Sequence, residues 1–213
     1  MVPKIKICGL VSVDDAYLIN IYKVDYIGIV LFFPKSKRNI DIDRAKEIIQ
    51  CLAPGIKKVA VTVSPTREQV REIEAAGFDI LQAHGVLAQE VLDGTSIPIL
   101  RAINISDESE FKMERSDRII GYVFDGKIPG GGKVFDWSVI KYFNREKNLL
   151  MLAGGLTPDN VVEGIHYIQP DIVDVSSGVE IENSIGKEEA KVKAFVEAVR
   201  GNNIKKGSRK DEQ

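Results

Sequence analysis

The sequence repeats one pattern along most of its length, a short apolar run followed by a more polar, helix-like segment. Apolar runs without polar alternation indicate strands buried on both faces, and their alternation with helices indicates a parallel sheet. Eight runs occur, at residues 4–10, 25–31, 59–63, 78–83, 97–103, 118–125, 149–153 and 171–175. Eight units favour a closed (βα)8 barrel, although 213 residues are few beside the roughly 250 typical of that fold.

The other architecture that this pattern allows is an open, doubly wound parallel sheet. No G-x-G-x-x-G motif follows the first run, so a dinucleotide-binding version of that sheet has little support. We therefore predict one α/β domain, a (βα)8 TIM barrel over residues 1–200. The polar and basic segment 201–213 is expected to be a disordered tail.

Helix signals stand between the apolar runs. Ser12, Asp41, Thr66, Asp136 and Thr157 occupy positions typical of N-caps, and Pro158 follows Thr157 at the first helical position. The predicted helices cover about 13–22, 41–52, 66–76, 86–93, a polar stretch at 107–115, segments starting near 135 and 157, and 187–200.

Composition excludes several classes of function. A formal charge of −2 and a pI near 5.8 give no electrostatic basis for binding nucleic acid or an anionic membrane. No apolar run is long enough to span a membrane, and the N-terminal residues lack the apolar core of a signal peptide. With two cysteines and two histidines at unsuitable spacings, neither a disulfide framework nor a zinc site is expected. We expect a cytoplasmic protein, either a monomer or a homodimer, that needs no metal or cofactor.

Two glycine-containing turns near the C-terminus predict a phosphate site. A-G-G-L-T (153–157) follows the seventh run, and S-S-G-V-E (176–180) follows the eighth. In (βα)8 barrels the loops after strands seven and eight often bind a phosphate, because backbone N–H groups and helix N-termini face the anion there. Gly154, Gly155, Ser177 and Gly178 are the candidates. The alternative is that these glycines only make tight turns.

Cys8 and Asp125 are the candidate proton-transfer residues. Cys8 ends the strand predicted within the first run, and Asp125 ends the sixth run, each just before a glycine. In a closed barrel both would lie on the rim formed by the carboxyl ends of the strands, facing each other across its mouth. That arrangement suits a sugar phosphate that gains a proton on one side and loses one on the other. The alternatives are a packed cysteine and an aspartate that caps a turn.

Two further side chains are predicted to contact a substrate. Arg38 lies on the long loop after the second run, where its guanidinium could bind a carboxylate bidentately. His84 lies at the end of the fourth predicted strand, directly after the run 78–83, and could face the mouth, but a structural hydrogen bond explains it equally well. Lys35 and Lys37 are better explained as solvated residues of a basic loop.

Taken together, these segments resemble the phosphoribosylanthranilate isomerase family of tryptophan biosynthesis. The resemblance extends from Lys4 to about Arg200. It consists of K-I-C-G (6–9), F-F-P-K-S-K-R (32–38), L-Q-x-H-G (81–85), Asp125 at a strand end, G-G-x-x-x-F-D-W (130–137), G-G-L-x-P-x-N-V (154–161) and D-V-S-S-G-V-E (174–180). The family is a (βα)8 barrel without a cofactor that converts N-(5′-phosphoribosyl)anthranilate to 1-(2-carboxyphenylamino)-1-deoxyribulose 5-phosphate by an Amadori rearrangement.

The resemblance implies a role for each candidate residue. Asp125 would be the general acid that opens the ribose ring, and Cys8 the general base that removes the C2 proton. Arg38 would bind the anthranilate, and the backbone around Gly155 and Gly178 the phosphate. A free thiol has a pKa of about 8.5, so Cys8 would need activation, which we expect from nearby helix N-termini and the basic loop.

The sequence also departs from the family pattern. The loop after Asp125 is a few residues short, G-G-G-K (130–133) replaces the usual G-G-[ST]-G, and Ala83, Ser64 and Ala153 replace customary residues. Two other functions therefore remain open. One is a related sugar-phosphate isomerase of histidine biosynthesis, against which the cysteine at the first strand end argues, because that family pairs two aspartates. The other is a phosphate-ligand binding protein without turnover.

Overall fold

A computed structural model describes residues 2–105, 116–126, 135–140, 143 and 147–207, the last six by backbone alone. Eight parallel strands form a closed barrel in sequence order, which confirms the predicted fold. The strands are β1 Lys4–Cys8, β2 Tyr26–Val30, β3 Lys57–Val63, β4 Ile80–His84, β5 Ile99–Asn104, β6 Ile119–Asp125, β7 Leu149–Leu152 and β8 Ile172–Val175. The barrel closes where β1 pairs with β8, Lys4 opposite Ile172 and Ile7 opposite Val175.

Helices cover the outside of the barrel. They are α1 Val13–Tyr22, α2 Ile42–Gln50, α3 Arg67–Ala75, α4 Gln89–Gly94, α5 Val161–Ile168 and α6 Glu189–Gly207, with 3-10 turns at Trp137–Ile140 and Ser177–Val179. No helix in the described part of the chain is both long and apolar enough to cross a membrane.

Local sequence explains where the helices begin. Ser12 and Thr66 form the predicted caps of α1 and α3, each in a capping box with the residue three positions on, Asp15 and Gln69. Asp41 accepts the N–H of Arg44 and caps α2. The predicted helix near 135 appears as a 3-10 turn, and Asp136 accepts the N–H of Ser138 at 2.9 Å.

Two helix ends differ from the prediction. Thr157 does not cap α5 with its side chain. Its N–H donates to Asn160 Oδ1 at 2.8 Å, and Asn160 Nδ2 donates to the Gly155 carbonyl at 2.9 Å. The Asn160 amide thus holds 155–160 as a turn, and the helix begins at Val161. The last helix continues to Gly207, past the expected end at residue 200. The predicted helix at 107–115 and the glycine-rich loop from residue 127 to 133 lie outside the described residues.

The core has an outer and an inner layer. Outward-facing strand residues and helix residues pack into the larger cluster between barrel and helices. Inward-facing residues fill the barrel itself, with Val59, Val61, Leu100, Val123 and Met151 among them. Cys8 belongs to this inner layer, which places the predicted base at the top of the barrel interior.

Candidate active site

A cavity of about 640 Å³ opens at the carboxyl ends of the strands, where active sites of this fold lie. It brings together seven of the eight predicted site residues. The residues concerned are Cys8, Arg38, His84, Asp125, Gly154, Gly155 and Ser177. Asn104, Gln82, Asp174 and Ser176 also line it, and sequence reasoning assigned none of these a role.

Gly178, the eighth predicted residue, is not among the residues that line the cavity. A Cβ added at Gly178 would lie 2.1 Å from the Leu156 carbonyl oxygen and 3.2 Å from Thr157 Cα. The position therefore accepts only glycine, because the loop after β7 packs directly against it. Its observed contribution is to hold the two predicted phosphate loops together, and its contact with the phosphate stays a prediction.

Asp125 ends β6 with its carboxyl group almost fully buried at the cavity wall. Its Oδ1 accepts the N–H of Gly126 at 2.8 Å, which is the predicted turn contact. Burial first and the charge of Asp174 second raise the pKa of Asp125, while the Gly126 hydrogen bond, Lys6 and Arg38 oppose the rise, and the resulting pKa is about 7. A carboxyl group with this pKa holds its proton near neutral pH, as a general acid must.

Cys8 ends β1, and its side chain points into the same cavity. Lys6 lies two residues earlier, so strand alternation turns both side chains to the barrel interior. The neighbouring strand makes room for them at Gly28, which pairs with Cys8. A Cβ added at Gly28 would lie 2.7 Å from Cys8 Sγ and 3.1 Å from Lys6 Nζ. The thiol and the ammonium group therefore lie side by side.

The charges around Cys8 differ from those expected. Burial raises the pKa of the Cys8 thiol, and Lys6 is the main group that lowers it again. Asp174 raises this pKa and Lys187 lowers it. The cations that act on the thiol thus come from β1 and from the segment after β8. Residues 35–38 are not among the main charges that act on the thiol, and activation by the basic loop and by helix N-termini stays a prediction.

Lys6 and Asp174 form an ion pair inside the barrel, with Nζ and Oδ2 2.7 Å apart. Lys6 is fully buried. Burial would lower the pKa of Lys6, but Asp174 and Cys8 beside it raise it overall, so the side chain stays an ammonium. The other carboxylate oxygen of Asp174, Oδ1, is buried without a hydrogen-bond partner among the described residues. It lies at the cavity wall and can accept a hydrogen bond from a ligand.

His84 lies in a hydrogen-bonded row at the cavity wall. Nδ1 lies 3.2 Å from Asn104 Oδ1, and Nε2 lies 3.1 Å from Gln82 Nε2. Since Asn104 Oδ1 can only accept, Nδ1 carries the proton and Nε2 accepts from the Gln82 amide. Burial lowers the pKa of His84 to about 4, so the ring is neutral. Both ring nitrogens are occupied by side chains, which favours the structural alternative, and substrate contact by His84 stays a prediction.

Arg38 is held by a carboxylate that sequence reasoning did not assign. Its Nε and Nη2 donate to Glu180 Oε1 and Oε2 respectively, the second at 3.0 Å. Lys187 and Lys37 also contact Glu180, at 3.3 and 3.2 Å. Burial would raise the pKa of Glu180, but these cations hold it below its ordinary value. Arg38 therefore lines the cavity with its side chain held in place, and its Nη1 takes no part in the pair with Glu180.

A closed parallel barrel with a buried acid and a thiol at the carboxyl-end cavity defines a (βα)8-barrel enzyme suited to acid–base chemistry. Comparison with known proteins makes this specific. The family model described as N-(5′-phosphoribosyl)anthranilate (PRA) isomerase matches residues 5–198. The chain belongs to the phosphoribosylanthranilate isomerase family, and it is an isomerase, as the resemblance implied.

Relatives and solved structures agree with this assignment. The N-(5′-phosphoribosyl)anthranilate isomerase of Caldanaerobacter subterraneus subsp. tengcongensis is 40% identical over 204 residues, 93% of this chain and 98% of that protein. The phosphoribosyl anthranilate isomerase of Thermus thermophilus superposes with a TM-score of 0.82 at 26% identity, covering 93% of this chain and 98% of that one. A further isomerase structure, solved with reduced 1-(o-carboxyphenylamino)-1-deoxyribulose 5-phosphate, gives a TM-score of 0.77 at 28% identity, covering 93% and 99%.

Proposed function

We propose that this protein converts N-(5′-phosphoribosyl)anthranilate to 1-(2-carboxyphenylamino)-1-deoxyribulose 5-phosphate in tryptophan biosynthesis, with Asp125 as general acid and Cys8 as general base. One observation carries the assignment of roles: both groups line a single cavity from β1 and β6, which lie three strand steps apart around the barrel. The family membership supplies the reaction.

The chemistry divides between the two groups. Asp125 donates its proton to the ribose ring oxygen as the C1–O bond breaks, and the anilino nitrogen lone pair forms the C=N bond of a Schiff base. The Cys8 thiolate then takes the proton from C2, and the C–H electrons form the enolamine. The enolamine then gains a proton at C1 from solvent and loses the proton of its C2 hydroxyl to solvent, which gives the ketone. Cys8 ends the sequence as a thiol and Asp125 as a carboxylate, so the two must exchange protons with solvent before the next turnover.

The remaining cavity residues supply binding. Arg38 would hold the anthranilate carboxylate, and the loops at Gly154, Gly155 and Ser177 would hold the phosphate. The mechanism uses no metal or cofactor. The cytoplasm remains the expected location. A monomer or a homodimer is expected, and a solved relative from Thermotoga maritima is described as dimeric.

The test is a turnover assay on the purified protein. Loss of the fluorescence of phosphoribosylanthranilate should follow addition of catalytic amounts of protein. The histidine-pathway sugar phosphate, offered in parallel, should not be converted. Binding of the product analogue without turnover would favour the binding-protein alternative. Turnover of only the histidine-pathway substrate would favour the second isomerase.

Replacing Glu180 with glutamine should weaken substrate binding more than it slows the chemistry. Glutamine offers one acceptor oxygen and no charge, so the bidentate grip on the Arg38 guanidinium is lost. We expect KM to rise about tenfold with kcat changed less than about threefold. Steady-state kinetics measure both. Glu47→Gln, which breaks an exposed pair with Arg44, is the matched control and should leave KM unchanged. An unaltered KM in Glu180→Gln would show that the pair does not position Arg38 for binding.

The pH profile of kcat/KM should show a plateau from about pH 7 to at least pH 8.5. The active form needs Asp125 protonated and Cys8 ionised, but the pKa of Asp125 is about 7 and that of Cys8 is raised. The active form is therefore a minor tautomer of the singly deprotonated enzyme. The value of kcat/KM rises as pH approaches 7 and stays constant while Asp125 and Cys8 together hold one proton. It falls when that proton is also lost. A decline beginning at pH 7 would contradict this assignment.

A further inference from the structure

The proposed chemistry does not use the buried ion pair between Lys6 and Asp174, which lies below Cys8 in the barrel. Lys6 is a fully buried lysine in the middle of β1, between Ile5 and Ile7, a position that lysine almost never occupies without a partner. Its partner Asp174 comes from β8, the strand that closes the barrel against β1. Lys6 Nζ lies beside Cys8 Sγ, since both atoms are within 3.1 Å of the position a Cβ would take at Gly28.

We propose that Lys6 is a positioning residue that favours the thiolate form of Cys8, and that Asp174 keeps Lys6 charged and in place. An ammonium in the barrel interior needs a counter-charge, because burial without one is costly, and Asp174 or the ionised Cys8 can each supply it. Paired with Asp174, Lys6 stays charged. Its ammonium group then attracts the sulfur of Cys8, which lies two residues further along β1 on the same face of the strand. The inference deepens the proposed function, because it accounts for how a buried thiol can act as a base.

The two members of the pair act on the sulfur in opposite directions. The Lys6 ammonium attracts a thiolate, and the Asp174 carboxylate repels it. The other charged groups near the sulfur are few among the described residues. Lys187, from the segment before α6, also attracts it. Lys35, Lys37 and Arg38 line the cavity from the loop after β2, Arg38 paired with Glu180, and Asp125 lines it from β6. His84 on β4 is neutral, and β2 contributes Gly28 at this level.

The opposite signs give a test that a merely structural ion pair would fail. In a Cys51→Ser background, Cys8 is the one remaining thiol of the chain. Its ionisation can be followed as the rate of iodoacetamide alkylation against pH, read by mass spectrometry of the Cys8 peptide. We expect Lys6→Met to raise the midpoint of this titration by about one unit or more, and Asp174→Asn to lower it by a similar amount.

Controls separate charge from packing. Lys58→Met removes another strand lysine that is ion-paired, with Asp79 at 3.1 Å, at the opposite end of the barrel. It should leave the Cys8 midpoint unchanged. The double variant Lys6→Met/Asp174→Asn carries no buried charge at the pair, so it tests the proposal even where the single lysine variant folds poorly. Its midpoint should fall between those of the two single variants, or above that of Asp174→Asn alone.

The outcomes decide the proposal independently of turnover. Opposite shifts in Lys6→Met and Asp174→Asn support it, and so does a lowered midpoint in Asp174→Asn together with a higher one in the double variant. Equal midpoints in all variants, or shifts of the same sign in both single variants, overturn it. In the turnover assay, Lys6→Met should lower kcat/KM about tenfold on the pH plateau, because one pKa unit changes the thiolate fraction tenfold. Failure of the parent protein to turn over substrate would refute the proposed function while leaving the alkylation result readable.

Discussion

Asp125→Asn is expected to lower kcat by at least about a hundredfold while the barrel stays folded. An amide cannot release a proton to the ribose ring oxygen, so the ring opens without its acid. The substitution otherwise changes little, because asparagine has nearly the same volume and its Oδ1 can still accept the Gly126 N–H. Steady-state kinetics in the fluorescence assay and circular dichroism together measure the effect.

A matched control replaces an aspartate with the same local bonding far from the cavity. Asp25 Oδ2 accepts the N–H of Ile5 at 2.9 Å, at the amino end of the barrel. Asp25→Asn should leave kcat within about twofold of the parent, because it touches no cavity residue. Near-normal kcat in Asp125→Asn would remove Asp125 from the mechanism, whatever the control shows.

Thermal stability gives a second measure of the same group. Burial raises the pKa of Asp125 in the folded state to about 7, against about 3.9 in the unfolded chain. The folded state therefore binds the proton more tightly. The stability that this contributes is complete below about pH 4 and is lost as pH rises to about 7. Asparagine does not titrate, so the Tm of Asp125→Asn relative to the parent should increase over that interval. A constant Tm difference would mean that the carboxyl group is not held protonated.

The sequence predicted those site residues whose position in the barrel follows from their place in the strand–helix repeat. The last residue of every parallel strand lies at the same rim of a closed barrel. Cys8 and Asp125 are strand-end residues, so they line the same cavity. The two glycine turns followed from the same rule. The fold could be predicted from the pattern of apolar runs, since eight two-sided strands alternating with helices favour a closed barrel over an open, doubly wound sheet.

The buried ion pairs could not be predicted from the strand–helix repeat, because each depends on which side chains come into contact when the barrel closes. Arg38 and Glu180 are 142 positions apart in sequence, and Lys6 and Asp174 are 168 apart. A signal was present, however, since Lys6 and Asp174 are charged residues inside apolar runs, K-I-K-I-C and D-I-V-D-V. Charged residues are almost never buried unless paired, so two opposite charges on neighbouring interior strands predict a partnership.

The helix starts show how far local rules extend. Ser12 and Thr66 cap their helices as predicted because each is followed three positions later by a side chain that completes a capping box. Thr157 has the same local signal, reinforced by Pro158, but Asn160 competes for it. The Asn160 amide bonds both the Thr157 N–H and the Gly155 carbonyl, and it ties the turn to the loop that borders the cavity. Thr157 therefore does not act as an N-cap, because the backbone here forms the turn next to the cavity.

Cys8→Ala and Cys8→Ser are each expected to lower kcat by at least about a hundredfold, the serine variant almost as severely as the alanine variant. Serine keeps the shape of the side chain and a proton that can be exchanged. Its hydroxyl ionises so much less readily than a thiol that the neighbouring Lys6 ammonium cannot produce a useful alkoxide near neutral pH. The comparison therefore separates acidity from size, because both variants fit the space beside Gly28.

The same pair of variants distinguishes a base from a packing residue. A cysteine that only packs would lose stability on change to alanine, by about 1 kcal/mol for so small a group, and would leave kcat near normal in the serine variant. We expect the reverse, with Tm nearly unchanged in both and turnover lost in both, while Cys51→Ser retains full activity as the matched control. Substantial kcat in Cys8→Ser would show that the C2 proton leaves to another group. Asp174 would then be the first to examine, because its Oδ1 lies at the same cavity wall with no partner among the described residues.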